Sequence, residues 1–329
     1  MADLIIYGAT GYTGRLASGF AKSYNLQFTV AGRSENKLKA LAATLDVEYR
    51  VFAVDDPLAV DAGLHGARVL LNCSGPFLHT AEPLIEACIR NGIHYLDIAA
   101  ELDSYQLSEK KHEEARQANV MLLPGCGGSV AMLGCLTQYI IENVANPVSI
   151  DIALHIAGPM SRGSAISAAE NLTSKCLRRL DGKLVDQDRG HHMDFDFDDG
   201  RGAVSCFPAT LPDVIAIWRS TNIPNIRTFV HAAGNALPTG NLDSMAEGPT
   251  AKQRETNPYH VAATVTASDG SITRAVLHTV NGYTFTPLAS VEAARRVLMG
   301  EMQAGFQTPS NLFGHRFVEV IAGTAFRDL

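Results

Sequence analysis

The sequence predicts an α/β protein: a doubly wound parallel sheet followed by a second, α+β substrate domain. Three observations predict it. Short apolar runs alternate with amphipathic ones up to about residue 125, a glycine-rich turn directly follows the first apolar run, and the rhythm changes after Pro124-Gly125-Cys126-Gly127-Gly128. Regular strand–helix alternation calls for a parallel sheet covered by helices on both faces, with right-handed crossovers.

The runs at 3–8, 27–32, 49–54, 68–73, 93–98 and 120–124 are short and rich in Val, Ile, Leu, Tyr or Phe, as buried parallel strands require. Helical stretches are expected between them at 12–24, 35–46, 57–65, 79–91 and 102–118. A helix at 130–144 closes this part. Beyond it, strands at 148–157, 226–234, 259–267 and 272–281 and a helix near 164–180 are set among Gly- and Asp-rich turns. Thr286-Pro287 reads as a helix start and Gly305 as its stop. The expected division is 1–128 for the first domain, 129–286 for the second, and a C-terminal helix and tail, 287–329, that can return to the first.

Composition narrows the function. The 329 residues hold 46% hydrophobic and 19% charged residues, an ordinary globular balance. A formal charge of −7 without a basic run gives no reason to expect nucleic acid as a partner. No apolar window approaches the length of a membrane span, and nothing at the N-terminus reads as a secretory signal. The six cysteines form no CxxC pair, which favours reduced thiols and a cytoplasmic location. The acidic stretch 190–200 lacks the glycine and glutamate spacing of a calcium loop, so no metal is expected.

The chemistry begins at Gly8-Ala9-Thr10-Gly11-Tyr12-Thr13-Gly14. Glycine is needed there for a sharp strand-to-helix turn, for close approach of backbone to a pyrophosphate, and for tight helix–strand packing. The helix start offers amides and a partial positive charge to the phosphates. This is the signature of a Rossmann dinucleotide site. Gly8, Thr10, Gly11, Tyr12, Thr13 and Gly14 are its expected cofactor contacts.

The second strand ends Gly32-Arg33-Ser34, where an NAD site would carry Asp or Glu for the ribose 2′-hydroxyl. A guanidinium instead pairs with a 2′-phosphate, and Ser34 and Lys37 add donors, so the expected cofactor is NADP(H). Asp55 can accept from the adenine amine, although a plain helix cap explains Asp55 or Asp56 equally well. Ser74, Gly75, Pro76 and Phe77 follow the fourth strand at the ligand-binding edge, with Phe77 placed to wall the nicotinamide.

Catalytic residues are harder to read. No tyrosine has lysine four residues on, which excludes a Tyr-xxx-Lys proton relay. Glu101, His79 and Cys126 are the weak candidates, each with a structural alternative: a helix-start carboxylate for Glu101, pocket lining for the other two. Asp97 reads as buried structure, and Arg162 and Arg219 as surface arginines that can also clamp a carboxylate.

These motifs together resemble the saccharopine dehydrogenase-like oxidoreductases. The similarity rests on YGATGYTGR (7–15), AGRSENKL (31–38), NCSGPFLHTAEPLIEAC (72–88) and HYLDIAAE (94–101), then more patchily on 211–226 and 305–314. The resemblance implies hydride transfer between NADP(H) and a small organic molecule, at an imine or C–N bond, a carbonyl or an enoyl C=C bond; the division into two domains adds the expectation that the acceptor is held between them. Gly127-Gly128-Ser129-Val130 departs from the Gly-Phe-Asp run of many relatives, which leaves the substrate open. A catalytically silent NADP(H)-binding sensor or scaffold is the alternative. A homodimer is a further expectation, from the sheet of the second domain.

Overall fold

The computed structural model describes residues 3–171, 176–234, 236–237 and 241–329. The chain divides into two compact units, Met1–Gly128 with Thr286–Gln307 and Ser129–Phe285 with Thr308–Leu329.

The first unit alternates β1 (Leu4–Tyr7), α1 (Tyr12–Ser23), β2 (Phe28–Gly32), α2 (Glu35–Leu45), β3 (Glu48–Val51), α3 (Pro57–Leu64), β4 (Val69–Asn72), α4 (Phe77–Asn91), β5 (His94–Asp97), α5 (Leu102–Lys110), α6 (His112–Gln117) and β6 (Met121–Leu123). The helix expected over 102–118 is thus two, broken at Lys111, which lies outside both.

The second unit begins with α7 (Ser129–Ile141), β7 (Pro147–Ala157), α8 (Arg162–Asn171), β8 (Leu177–Leu180), β9 (Lys183–Asp186), β10 (Met193–Asp196) and β11 (Ala203–Pro208). It continues with α9 (Asp213–Thr221), β12 (Asn225–Ala233), α10 (Ala251–Thr256), β13 (Tyr259–Ala267) and β14 (Ile272–Thr279). The helix expected near 164–180 ends by Asn171, and 177–180 is a strand instead; 172–175 lie outside the described residues.

Helix α11 (Gly282–Leu298) starts earlier than Thr286-Pro287 suggested. Asn281 supplies the start: its Oδ1 accepts from the Tyr283 amide at 3.0 Å and its carbonyl from those of Thr284 and Phe285. The helix stops at Gly300 (φ +97°), because glycine takes that left-handed turn without strain. Gly305, expected as the stop, opens β15 (Gly305–Phe306), which pairs with β6. The chain ends with α12 (Pro309–Phe313) and β16 (Ala325–Asp328). Thr308–Leu329 belongs to the second unit, since β16 pairs with β14.

The first sheet is parallel throughout, in the order β15-β6-β5-β4-β1-β2-β3. Its direction of growth reverses between β1 and β4, which opens a crevice at their carboxyl ends. Register sets that edge level: Tyr7 stands opposite Ala31 and Asn72, and Asn72 opposite Asp97. Strands β1, β2 and β4 are buried along their whole length, which is why they read as continuous apolar runs.

The second sheet is mixed, in the order β10-β11-β12-β7-β13-β14-β16, with β8 and β9 alongside β12. Phe195, Phe197, Phe229, Ala153, Ala262 and Val276 pack together as part of its core. Next to them His231, His155, His260 and His278 stand in register on four adjacent strands. Their rings are 5.2, 5.8 and 4.4 Å apart between centroids. Arg201, ion-paired to Asp199, donates to Nε2 of His155 at 2.9 Å, and His278 Nε2 lies 2.7 Å from the Phe197 carbonyl.

Burial holds His155 and His260 down to about 4 from the ordinary 6.5, reinforced by the Arg201 cation at His155 and by the neighbouring His278 at His260. A base whose folded pKa is depressed favours the folded state while neutral. The stabilisation is present above about pH 6.5 and is lost as pH falls towards 4. Urea unfolding is expected to show a loss of about 2 kcal/mol per ring between pH 7 and pH 4.5. Replacing both rings by glutamine flattens that dependence. A wild-type profile with no such drop contradicts the assignment. Among the described residues no helix is long and apolar enough to cross a membrane.

Candidate functional site

The crevice at the reversal of the first sheet collects most of the residues singled out from the sequence. Gly8 takes φ +73°, and a Cβ there would lie 2.8 Å from the Ser74 amide nitrogen. Gly14 lies under the turn, where a Cβ would meet the Gly8 carbonyl at 2.3 Å. The amides of Gly8 and Ala9 both donate to the Ala31 carbonyl, tying the turn to β2. Helix α1 begins at Gly11 with no side chain capping it. An uncapped helix start beside a glycine cradle suits a diphosphate.

Arg33 and Lys37 are exposed at the carboxyl end of β2 and the start of α2, and Ser34 is the N-cap of α2 with no capping bond from its side chain. Among the described residues Arg33 forms no ion pair. Its charge and that of Asp55 both act on the buried Tyr7 hydroxyl, which donates to the Phe52 carbonyl, so the two groups gather at one corner. Asp56 is the cap of α3, accepting from the Leu58 and Ala59 amides at 3.0 and 3.1 Å. Asp55 is exposed and has no part in that cap. Glycines a Cβ would crowd, an uncommitted guanidinium and the lack of a carboxylate at the end of β2 fit a 2′-phosphorylated dinucleotide.

The far side of the crevice is organised by groups the sequence reading did not single out as site residues. Asn72, fully buried at the end of β4, donates to Thr80 Oγ1 and Tyr95 OH, each at 3.2 Å, and accepts from the Ser74 amide at 2.9 Å. Thr80 in turn donates to the Ser74 carbonyl at 2.6 Å. Tyr95 donates to Asp97, whose other oxygen accepts from the Ala99 and Gly125 amides at 2.9 and 2.7 Å. Burial raises Asp97 to about 6 against those bonds. The network fixes three successive loops after β4, β5 and β6. Polar residues ending two adjacent parallel strands at equal register, Asn72 and Asp97, were the signal that could have revealed it.

The candidate catalytic residues fall into three environments. Glu101, 6% exposed, accepts from the Phe77 amide at 3.2 Å and the Leu78 amide at 3.1 Å, one on each oxygen. It thereby caps α4, whose own N-cap is Pro76, after the cis Gly75-Pro76 bond. Phe77 is buried and His79 exposed on the first turn of the same helix. Cys126 is fully buried, and burial near Asp97 pushes its thiol well above the ordinary value; Cys73 is pushed up to about 12. Neither thiol is a nucleophile or proton donor near neutral pH.

Glu101→Gln puts an amide N–H₂ against one of the two backbone donors, at a cost of about 1–3 kcal/mol. The expected result is a matching loss of stability with NADPH affinity retained. Collapse of turnover at unchanged stability would make Glu101 a proton donor instead.

Residues 4–123 match a family model described as the saccharopine dehydrogenase NADP binding domain. The matched segment runs from β1 through β6. The rat saccharopine dehydrogenase-like oxidoreductase is 31% identical over 145 residues, covering 38% of this chain and 34% of that one. A Mycobacterium leprae trans-acting enoyl reductase is 32% identical over 133 residues, covering 38% and 32%. The matched stretch thus spans about a third of those relatives' length. Apo saccharopine dehydrogenase (L-Glu forming) from Saccharomyces cerevisiae covers all of both chains at a TM-score of 0.68 and 12% identity, a likeness of fold. The saccharopine dehydrogenase-type domain binds NADP(H), and the glycine turn and Arg33 lie within the matched stretch.

Proposed function

We propose that this chain is an NADP(H)-dependent oxidoreductase that moves a hydride between the nicotinamide and a small organic acceptor. The carrying observation is the pairing of the Gly8–Gly14 turn with Arg33 at the end of β2, unpaired among the described residues. Gly8, Gly11 and Gly14 leave room for the diphosphate, and Thr10, Tyr12 and Thr13 border the helix start that receives it. Arg33, Ser34 and Lys37 hold the 2′-phosphate, and Asp55 stands where it can accept from the adenine amine. Ser74, Gly75, Pro76 and Phe77 form the rim on the nicotinamide side, held in place by Asn72, Thr80 and Glu101. Bound NADPH supplies the hydride; the protein's part is to bind and orient it and to exclude water from the reacting carbon.

The acceptor class to test first is an activated C=C bond, since similar proteins include enoyl reductases, with imines and carbonyls beside it. Glu101 spends both oxygens on amides and Cys126 is buried with a raised pKa, which supports solvent or a substrate group as the proton source. The same observation favours, as the second reading, an NADP(H)-binding protein without turnover. Stopped-flow oxidation of NADPH against enoyl, imine and aldehyde panels separates them. Turnover with one class supports the enzyme; tight NADPH binding with no turnover on any class supports the sensor.

A further inference from the structure

We propose that the cavity framed by Arg178, Gln187, Asp188, His191 and Arg227 in the second unit binds a small oxyanion that carries a hydroxyl, such as hydrogenphosphate or a hydroxycarboxylate. The cavity has a volume of about 190 Å³, several times the roughly 30 Å³ share of one water. It lies beside the β8–β9 hairpin, which the Gln187 amide closes by donating to the Cys176 carbonyl at 2.7 Å. The loop that follows brings Asp188 and His191 to its exposed side.

Two side chains around this space hold buried polar atoms without a hydrogen-bond partner, and they face one cavity. Gln187 is only 8% exposed, yet both its Nε2 and its Oε1 lack a hydrogen-bond partner. The Nε of Arg178 is likewise buried without a partner, and its guanidinium forms no ion pair among the described residues. A buried amide and a buried guanidinium edge left unpaired are costly, and folds keep them where a ligand completes them.

The neighbouring groups define what that ligand must be. Arg227 is held by Asp151 at 2.6 and 2.7 Å, which balances its charge, and it donates through Nη1 to His191 Nε2 at 3.2 Å. With Nε2 accepting, His191 presents Nδ1–H as a donor. Asp188 turns one oxygen into its own loop, accepting from the Gly190 amide at 2.9 Å. With Arg227 balanced by Asp151, Arg178 is the cation left to meet an anionic group. The Asp188 carboxylate on the exposed side, in no ion pair among the described residues, faces the ligand's hydroxyl and disfavours a ligand without one. Gln187 Nε2 and His191 Nδ1 add donors to the oxyanion oxygens, and Gln187 Oε1 accepts from the ligand's hydroxyl.

Calorimetric titration at fixed ionic strength tests this, with NADP⁺ saturating so that the phosphate sites of the first unit are filled. Inorganic phosphate and glycolate are the probes, and sulfate and acetate their counterparts with fewer hydroxyl donors. The expected result is saturable binding of phosphate or glycolate in preference to its counterpart; which of the two binds identifies the source of the anion. Arg178→Met weakens binding by roughly 10- to 100-fold. Gln187→Leu removes binding and raises the melting temperature in anion-free buffer, because it deletes an unpaired buried amide. Should Arg178→Met fail to fold, Gln187→Leu carries the same test. No saturable binding by the wild-type chain, or binding that persists unchanged in the variants, overturns the proposal.

Discussion

Gly14→Ala is expected to weaken NADPH binding on the order of 100-fold and to lower stability by about 1–3 kcal/mol. Its Cβ would lie 2.3 Å from the Gly8 carbonyl oxygen and 2.9 Å from Ala9 Cα. Both are backbone atoms of the turn that receives the diphosphate, so the clash cannot be relieved by rotating a side chain. Helix and turn must separate, and the amides aimed at the phosphates move with them. Gly19→Ala, five residues along the same helix, is the control. A Cβ there meets nothing within 4 Å, so the substitution should stabilise the chain by about 0.5–1 kcal/mol and leave NADPH binding intact. Fluorescence titration and thermal unfolding of the two variants check both halves. Equal NADPH affinity in Gly14→Ala and wild type would remove the diphosphate from this turn.

Arg33→Asp is expected to weaken NADPH binding by about 100- to 1,000-fold, through loss of a charge-assisted pair and gain of a like-charge repulsion. NADH should be spared or helped, because a carboxylate at the end of β2 can accept from the ribose hydroxyls. Arg33 is exposed and forms no ion pair among the described residues, so stability should stay within about 0.5 kcal/mol. The selectivity ratio thus moves through binding alone. A parallel fall for both dinucleotides would point to a disturbed fold and not to the 2′-phosphate.

The first sheet was legible because its central strands β1, β2 and β4 are buried on both faces and its helices are amphipathic, so hydrophobic period separates them. The glycine turn was legible for a different reason: Gly14 meets the Gly8 and Ala9 backbone within its own motif, a local constraint, whereas the crowding of Gly8 by Ser74 is a distant one. What escaped depends on distant pairings. Glu101 receives the amides of Phe77 and Leu78, more than twenty residues away, so its carboxylate looked available in the sequence. The histidine row exists only because β12, β7, β13 and β14 align in register, across more than a hundred residues of chain. Helix α11 was placed one turn late because Thr286-Pro287 imitates a start, while the Asn281 side chain supplies the working one. The hairpin β8–β9 is short and charged, with apolar positions too few to show a period.

The most direct measurement is a calorimetric comparison of NADPH and NADH binding to the wild-type chain at one ionic strength. Selection of the 2′-phosphate by Arg33, Ser34 and Lys37 predicts that NADPH binds at least about tenfold more tightly, with the preference shrinking as salt rises. Equal affinity for the two, or no binding of either, contradicts it.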